Sequence, residues 1–170
     1  MNQGFSIRCE SPSDTEAIAE VTTAAFLTAP HSSHAEQFIV AKLRQARALS
    51  LSLVAQIESQ VIGHIAFSPV IIADGSTGWY GLGPLSVAPL FQRRGVGQAL
   101  VQTGLKRLRE RGARGCVVLG SPEYYRRFGF ASTSHLIFPG APPMCFMSLS
   151  FTGFDPRGEV VYHEAFNAFA

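Results

Sequence analysis

The hydrophobic and polar positions of this chain change along its length between a two-residue period and a helical period, which is typical of a mixed α/β domain. Residues 5–8 alternate and predict a strand, while Ser11 and Pro12 are a typical start for a helix. The apolar runs at 51–57 and 61–67 flank a short polar turn and predict a hairpin. In chain order the first predicted elements are a strand at 5–8, a helix after Ser11, a helix over 34–47 and the hairpin.

A strand, a helix and a second strand follow in the middle of the chain. The strand predicted over 79–87 leads through a short turn into a helix that begins near Gly97. Apolar positions 100, 101, 104, 105 and 108 of that helix form one stripe, as expected for a helix that covers a sheet. The apolar run at 115–120 predicts a parallel strand, which completes a β-α-β unit. Further strands are predicted near 134–138 and 145–152, in a single domain over 1–170.

The turn between the strand at 79–87 and the following helix has the composition of an anion site. Gly95 and Gly97 have no side chains to keep an anion from the backbone, and Arg93 and Arg94 lie beside them. The first amides of a helix have no intrahelical acceptor and lie at the positive end of the helix dipole. We therefore predict that this turn binds a phosphate-bearing ligand.

Two other kinds of phosphate loop are excluded. A dinucleotide fingerprint starting at Gly95 needs a glycine at position 100, where the chain has Leu100. One starting at Gly81 needs a glycine at position 86, where the chain has Ser86. A nucleoside-triphosphate loop needs Gly-Lys followed by Ser or Thr, and the sequence contains no such run.

Two segments resemble one known family. The run Gln-Arg-Arg-Gly-Val-Gly at 92–97, directly after a strand, resembles the coenzyme A pyrophosphate loop of the GNAT acetyltransferases. The run Tyr-Tyr-Arg-Arg-Phe-Gly-Phe at 124–130 is similar to the branch of predicted acetyltransferases related to bacterial YhbS. The resemblance implies the acyl-CoA N-acyltransferase fold, an α/β (mixed-sheet α+β) fold with the order β-α-α-β-β-β-α-β-α-β-β and a splayed central strand. It also implies acetyl-CoA as cosubstrate and no metal.

The same resemblance implies which residues bind the cosubstrate. Main-chain groups of the central strand would contact the pantetheine arm, and the loop with the first helical turn would contact the diphosphate. The residues concerned are Leu85, Ser86, Val87, Gln92, Arg93, Arg94, Gly95, Val96, Gly97 and Gln98. The implied activity is transfer of an acetyl or short acyl group to a primary amine by direct attack in a ternary complex. The alternative is a non-catalytic acyl-CoA-binding regulatory module of the same fold.

The resemblance also implies a proton donor, but it leaves the general base open. Tyr125 matches the family tyrosine that protonates the departing thiolate. The alternatives are that Tyr124 is the proton donor or that the tyrosine only packs on the core. The segment 79–84 has no carboxylate to act as base. Glu123 and His64 are the candidates for the base. The alternative for Glu123 is that it only stabilises the start of a helix, and the alternative for His64 is that it is a hydrogen-bonded core residue. A relayed water or an already neutral amine would need no base residue.

Composition limits the partners and the compartment. Fourteen Lys and Arg against twelve Asp and Glu give a net charge of +2, too small to indicate a nucleic-acid partner. No apolar run reaches the ~20 residues of a membrane span, and the N-terminus does not resemble a signal peptide. Cys9, Cys116 and Cys145 are odd in number and widely spaced, which favours reduced thiols and a cytoplasmic protein. His31 and His34 have ligand-like spacing without a further ligand motif, so no metal is predicted.

The acceptor is expected to be a small-molecule or peptide amine that binds between the loop around 26–36 and the segment 139–147. Phe26, Phe38, Met144 and Phe146 lie in or near these segments, together with few carboxylates. This composition indicates an apolar or weakly charged acceptor rather than a polyamine. A homodimer is a further expectation, because two-fold dimers are the commonest oligomers of soluble proteins.

Overall fold

A computed structural model describes residues 4–30 and 32–167 of the chain. The helices are α1 (Thr15–Phe26), α2 (Glu36–Gln45), α3 (Val96–Glu110) and α4 (Pro122–Tyr125). The strands are β1 (Ser6–Cys9), β2 (Leu51–Ile57), β3 (Gln60–Pro69), β4 (Ile71–Ile72), β5 (Trp79–Val87), β6 (Gly115–Leu119), β7 (Leu136–Ile137), β8 (Phe146–Ser150) and β9 (Gly158–Val161). Short 3-10 turns lie at Pro12–Asp14, Pro89–Phe91, Arg126–Phe128, Pro143–Cys145 and Glu164–Asn167.

Six strands form the main sheet in the order β1-β2-β3-β5-β6-β8. Neighbouring strands are antiparallel except β5 and β6, which run parallel. A parallel pair cannot be joined by a hairpin, and here α3 makes the crossover between the two strands. The predicted mixed sheet and its β-α-β unit are therefore confirmed.

The main sheet is covered on both faces. Leu100 and the rest of the predicted apolar stripe of α3 are buried in one core together with Phe67 of β3. On the opposite face, Ile18 of α1 and Val40 of α2 pack against Val54 of β2. Because close-packed interiors leave little room for movement, the central strands β3 and β5 hold fixed positions for any site built on them.

A second, smaller sheet of three strands, in the order β4-β9-β7, was not predicted. Of its strands, β7 lies within the strand predicted near 134–138, whereas β4, with two residues, and β9, with four, were not predicted. Ile72 and Val160 from this sheet are buried in one cluster with Trp79 at the start of β5. The small sheet therefore packs against the central strand at the end where β5 begins.

Most other boundaries agree with the prediction to within two residues, and the predicted element order is confirmed with β4 and β9 added to it. The chain after Ser11 differs, because Pro12–Asp14 forms a 3-10 turn before α1 begins. The backbone N–H of Ser11 donates to the Asp14 carboxylate at 2.7 Å, which favours this tight turn at the helix start. Of the two histidines with ligand-like spacing, His31 lies outside the described residues.

Candidate active site

The central strand β5 separates from β6 half-way along its length. Pairing between them runs from Trp79 opposite Gly115 to Leu82 opposite Val118 and then stops. At the same point the register between β5 and β3 shifts, and the peptide bond between Gly83 and Pro84 is cis. Proline has no N–H for a ladder bond, so its place at this irregularity agrees with the expected break in pairing. The result is a gap beside the second half of β5, as the predicted splayed strand requires.

Main-chain groups of Leu85 and Val87 are directed into this gap. The Ala88 N–H donates to the Ile62 carbonyl at 2.8 Å, so these two residues form a hydrogen-bonded pair between β5 and β3. Hydrogen-bonded and non-hydrogen-bonded pairs alternate along antiparallel strands. Ser86 is therefore bonded to β3, whereas Leu85 and Val87 present their N–H and C=O groups on the side that β6 has left.

The turn after β5 has the backbone shape of an anion site. Arg93 has a φ of 61° and Gly95, directly before α3, has a φ of 82°. A side chain is disfavoured at such angles, and Gly95 meets that condition without strain. The Gln92 side chain donates to the Val87 carbonyl at 3.0 Å and so ties this turn to the end of β5. The amides of Val96 and Gly97 follow at the start of α3, where no intrahelical acceptor is within reach.

A cavity of about 630 Å³ connects the gap with this turn. Phe26 at the end of α1 and Arg127 after α4 contribute to its wall. Among the residues predicted to bind the cosubstrate, its lining includes Leu85, Val87, Gln92, Arg93, Gly95, Gly97 and Gln98. The other three predicted residues, Ser86, Arg94 and Val96, are absent from its described lining, and Ser86 and Val96 are buried.

Two adjacent tyrosines of α4 have different surroundings, and Tyr125 is absent from the described lining of both the large cavity and the smaller one beside it. Tyr124 lines the large cavity, and a Cβ placed on Gly97 would lie 2.8 Å from its hydroxyl oxygen. Tyr125 packs edge-on against Phe130 and lies against Gly120, the residue that follows β6. Burial raises the pKa of the Tyr125 phenol well above its usual range, so this hydroxyl keeps its proton at neutral pH.

His64, one of the two base candidates, lies in the core. Its Nε2 is 2.7 Å from Ser52 Oγ, and Ser52 donates its own proton to the Glu10 carboxylate at 2.8 Å. Nε2 of His64 must therefore be the protonated nitrogen, and Nδ1 is left buried without a partner. Burial lowers the pKa of His64 to about 4. The described lining of the two cavities at the β5 gap does not include this residue.

Glu123, the other base candidate, is exposed in the first turn of α4. It too is absent from the described lining of both cavities. The structure therefore brings the loop and the strand of the predicted cosubstrate site together but places neither base candidate with them.

A second cavity, of about 230 Å³, adjoins the first half of the β5 gap. Phe26 lines both cavities, so they meet at the end of α1. The other lining residues are Glu36, Ile39, Leu82, Gly83, Pro84, Leu119, Phe138, Tyr162 and Phe166. Phe26 was expected near the acceptor, but Phe38 and Met144 are exposed and Phe146 lies in the core beneath Phe138.

Glu36 is the one residue with a carboxylate in the described lining of the small cavity. Its Oε1 accepts hydrogen bonds from the Ser32 hydroxyl at 2.8 Å and from the Ser33 N–H at 3.3 Å. Its Oε2 is buried and has no partner. The sequence shows an acidic residue near a helix start, a common stabilising feature, and gives no sign that the side chain faces a cavity.

The comparison with known proteins identifies the family. The family model described as "Acetyltransferase (GNAT) family" matches residues 15–130, more than half of the chain. The chain belongs to the GNAT acetyltransferase family. This membership confirms the predicted fold and the expectation of an acetyltransferase.

Two relatives of the chain are named as N-acetyltransferases. YhbS of Escherichia coli strain K12, an uncharacterized N-acetyltransferase, is 39% identical over 130 residues, which are 76% of this chain and 75% of YhbS. YjhQ of the same strain, also an uncharacterized N-acetyltransferase, is 35% identical over 130 residues, which cover 74% of this chain and 69% of YjhQ.

Two solved structures share the fold closely. A GNAT family acetyltransferase from Brucella melitensis, in complex with acetyl-CoA, has a TM-score of 0.86 and 49% identity, with 95% of this chain and 97% of that chain covered. YhbS from Escherichia coli, in complex with CoA, has a TM-score of 0.87 and 35% identity, with 98% and 93% covered.

Two further observations concern metals and membranes. Within residues 4–30 and 32–167 there is no group of three or more His, Cys, Asp or Glu side chains that could hold a metal ion. In the same part of the chain, none of the helices has the length and apolar character that crossing a membrane requires.

Proposed function

We propose that this protein transfers an acetyl group from acetyl-CoA to the primary amine of a small acceptor, by direct attack in a ternary complex. The observation that carries the proposal is the pair of cavities that meet at Phe26 beside the gap in β5. One cavity joins the turn proposed to bind the anion to main-chain groups of β5 that are not bonded to a neighbouring strand, and the other is small and mostly apolar. A reaction between a long phosphate-bearing substrate and a small second substrate needs such an arrangement.

The large cavity fits coenzyme A in its chemistry. The first amides of α3, with Arg93 beside them, offer charge-assisted hydrogen bonds to the diphosphate. Leu85 and Val87 offer main-chain groups to the amides of the pantetheine arm, which would add to β5 as an extra strand. The relatives solved with acetyl-CoA or CoA support the same ligand for this chain.

The thioester supplies an activated acyl group when it is bound at the β5 gap. A main-chain N–H on this part of β5 would stabilise negative charge on the carbonyl oxygen, a contribution of about 10²–10³ in rate. Tyr125 is our candidate for the proton donor to the departing sulfur. It packs at the end of β6 beside the gap and carries its proton at neutral pH, whereas Tyr124 lies over Gly97 at the start of α3.

The tyrosine pair provides a matched test. We expect Tyr125→Phe to lower kcat by about 10² or more and to leave acetyl-CoA affinity within about twofold, because a general acid acts on the chemical step. Tyr124→Phe should instead change the KM for acetyl-CoA more than kcat. Thiol release with an amine panel measures both parameters, and equal turnover in Tyr125→Phe and the wild type would contradict the assignment.

The binding half of the proposal is tested separately. Acetyl-CoA should raise the melting temperature of the wild type, because a ligand that binds only the folded state stabilises it. Gly97→Glu should abolish this shift, since the new carboxylate would meet both the diphosphate and the Tyr124 hydroxyl. Binding of acetyl-CoA without turnover of any amine would favour the regulatory module instead. A cytoplasmic location stays a prediction, supported by three cysteines that are unpaired in the structure.

A further inference from the structure

We propose that Glu36 binds the amino group of the acceptor and acts as the general base, and that the acceptor is a small arylalkyl or alkyl monoamine without a carboxylate beside its amino group. This inference rests on the proposed function. It supplies the base that neither Glu123 nor His64 provides from its position in the structure.

The small cavity has the shape and lining of a site for an apolar body with one cationic end. Phe26, Phe138 and Phe166 form aromatic walls, and Pro84 belongs to the irregular part of β5. Its volume of about 230 Å³ is below the ~300 Å³ at which sites for drug-sized ligands begin. The described lining contains one carboxylate and no Lys, Arg or His, so a positive charge on the ligand has a partner and a negative charge has none.

Hydrogen bonds hold one oxygen of the Glu36 carboxylate in place and leave the other oxygen without a partner. Two donors from the preceding loop, the Ser32 hydroxyl and the Ser33 N–H, bind Oε1. Oε2 has no partner although it is buried, and a buried carboxylate oxygen without a donor is costly. An ammonium group supplies the missing donor.

A second polar group, on another residue that lines the same cavity, also lacks a partner. The hydroxyl of Tyr162 is buried without a hydrogen bond, although its ring packs closely on Phe138 and Phe166. Nearly all buried polar groups in proteins are paired. Glu36 Oε2 and the Tyr162 hydroxyl thus belong to two residues that line one otherwise apolar cavity, and neither group has a partner. An ammonium group bound there would bring the N–H donor that the Glu36 oxygen lacks.

The proton balance of the transfer can be written with these residues. The ammonium group gives one proton to Glu36, and the nitrogen lone pair so released forms the N–C bond as the C–S bond breaks. The departing sulfur receives a proton from Tyr125, which regains one from the acylated nitrogen. Glu36 passes its proton to solvent when the product leaves. The sum is an amide, the free thiol of coenzyme A and one proton.

Binding of the amine alone provides a readout that does not depend on turnover. The probe is 2-phenylethylamine, titrated by calorimetry into the full chain loaded with CoA. We expect Glu36→Gln to weaken this binding by about tenfold or more, because a charge-assisted hydrogen bond is lost. The glutamine keeps an oxygen for Ser32 and Ser33, so a merely structural role of Glu36 would leave the affinity unchanged.

Turnover gives the second readout. At pH 7, Glu36→Gln should lower kcat/KM for 2-phenylethylamine by about 100-fold or more, and Glu36→Asp should recover part of the loss. The deficit should shrink as the pH rises towards the pKa of the free amine, since a neutral amine needs no base. Phenylalanine has the same ring and adds a carboxylate beside the amino group, so it should be a substrate at least about 100 times poorer.

Glu16→Gln is the matched control, because Glu16 is likewise an acidic residue in the first turn of a helix but is exposed. It should leave binding and turnover unchanged. The inference is overturned if Glu36→Gln folds and behaves like Glu16→Gln, if phenylalanine or spermidine is preferred, or if 2-phenylethylamine neither binds nor reacts while acetyl-CoA binds. If acetyl-CoA itself does not bind the wild type, the proposed function fails instead.

Discussion

The buried imidazole of His64 should make the folded protein sensitive to mild acid. Its Nε2–H is used by Ser52, so a second proton would have to enter at Nδ1, which has no partner. Burial therefore lowers the pKa of His64 in the folded state from 6.5 to about 4. Glu10 and Asp14 partly oppose this change and Arg44 reinforces it, through their charges. Between these two pKa values the unfolded chain binds a proton that the folded chain does not.

The size and sign of the effect follow from linkage. Stability rises with pH wherever the unfolded state binds more protons, so His64 costs nothing well above pH 6.5 and its full penalty applies below about pH 4. One pKa unit corresponds to about 1.4 kcal/mol, which makes the full penalty about 3 kcal/mol. About 2 kcal/mol of it should develop between pH 7 and pH 5.

Urea unfolding of the wild type and of His64→Gln at both pH values measures this penalty. Glutamine can still donate to Ser52 and does not titrate. From pH 7 to pH 5, the free energy of unfolding of His64→Gln should therefore fall by about 2 kcal/mol less than that of the wild type. Because each variant is compared with itself at two pH values, any constant cost of the substitution cancels. His135→Gln, a change outside the core, should keep the wild-type dependence. If the free energy of unfolding fell equally in His64→Gln and the wild type, the proposed penalty for burying His64 would be refuted.

Two further predictions concern packing and the cosubstrate turn. Gly104→Ala should lower the free energy of unfolding by about 1–3 kcal/mol, because the alanine Cβ would overlap the Phe67 ring. In most helices the same substitution raises stability, so urea unfolding at pH 7 tests the direction of the change. A more stable variant would contradict the prediction. Gln92→Ala should weaken acetyl-CoA binding by about tenfold in calorimetry, since the Val87 carbonyl loses the side chain that ties the turn to β5; an unchanged affinity would contradict this role.

Elements with a strong period were predictable from the sequence. The apolar run of β2 covers seven residues, and the apolar stripe of α3 covers more than two helical turns, so several residues indicate the same structure. The two-residue strand β4 carries no such signal, and β9 has four residues. Both depend on their partners in the small sheet, which only the folded chain brings together.

The proposed cosubstrate site could be located in the sequence because its residues are continuous in the chain. The end of β5, the turn and the start of α3 lie within residues 85–98, and the role proposed for them depends on main-chain groups and missing side chains. Glycine spacing records both properties directly, as at Gly95, where φ is positive. The choice between Tyr124 and Tyr125 could not be made in this way, because adjacent residues of a short helix point to different surroundings.

The proposed acceptor site has the opposite character, which explains why its carboxylate could not be found from the sequence. Its lining comes from α1, α2, β5, β6 and three later segments, so no local motif can represent it. A search for a carboxylate along β5 finds none, but Gly83 and Pro84 at the irregularity of β5 line the same cavity as Glu36 of α2. A carboxylate on α2 can serve an amine at the β5 gap as well as one on β5 itself. If Glu36 holds the acceptor, related chains with the same cosubstrate turn can take different amines by changing α2 and the loop before it, without altering the residues that bind coenzyme A.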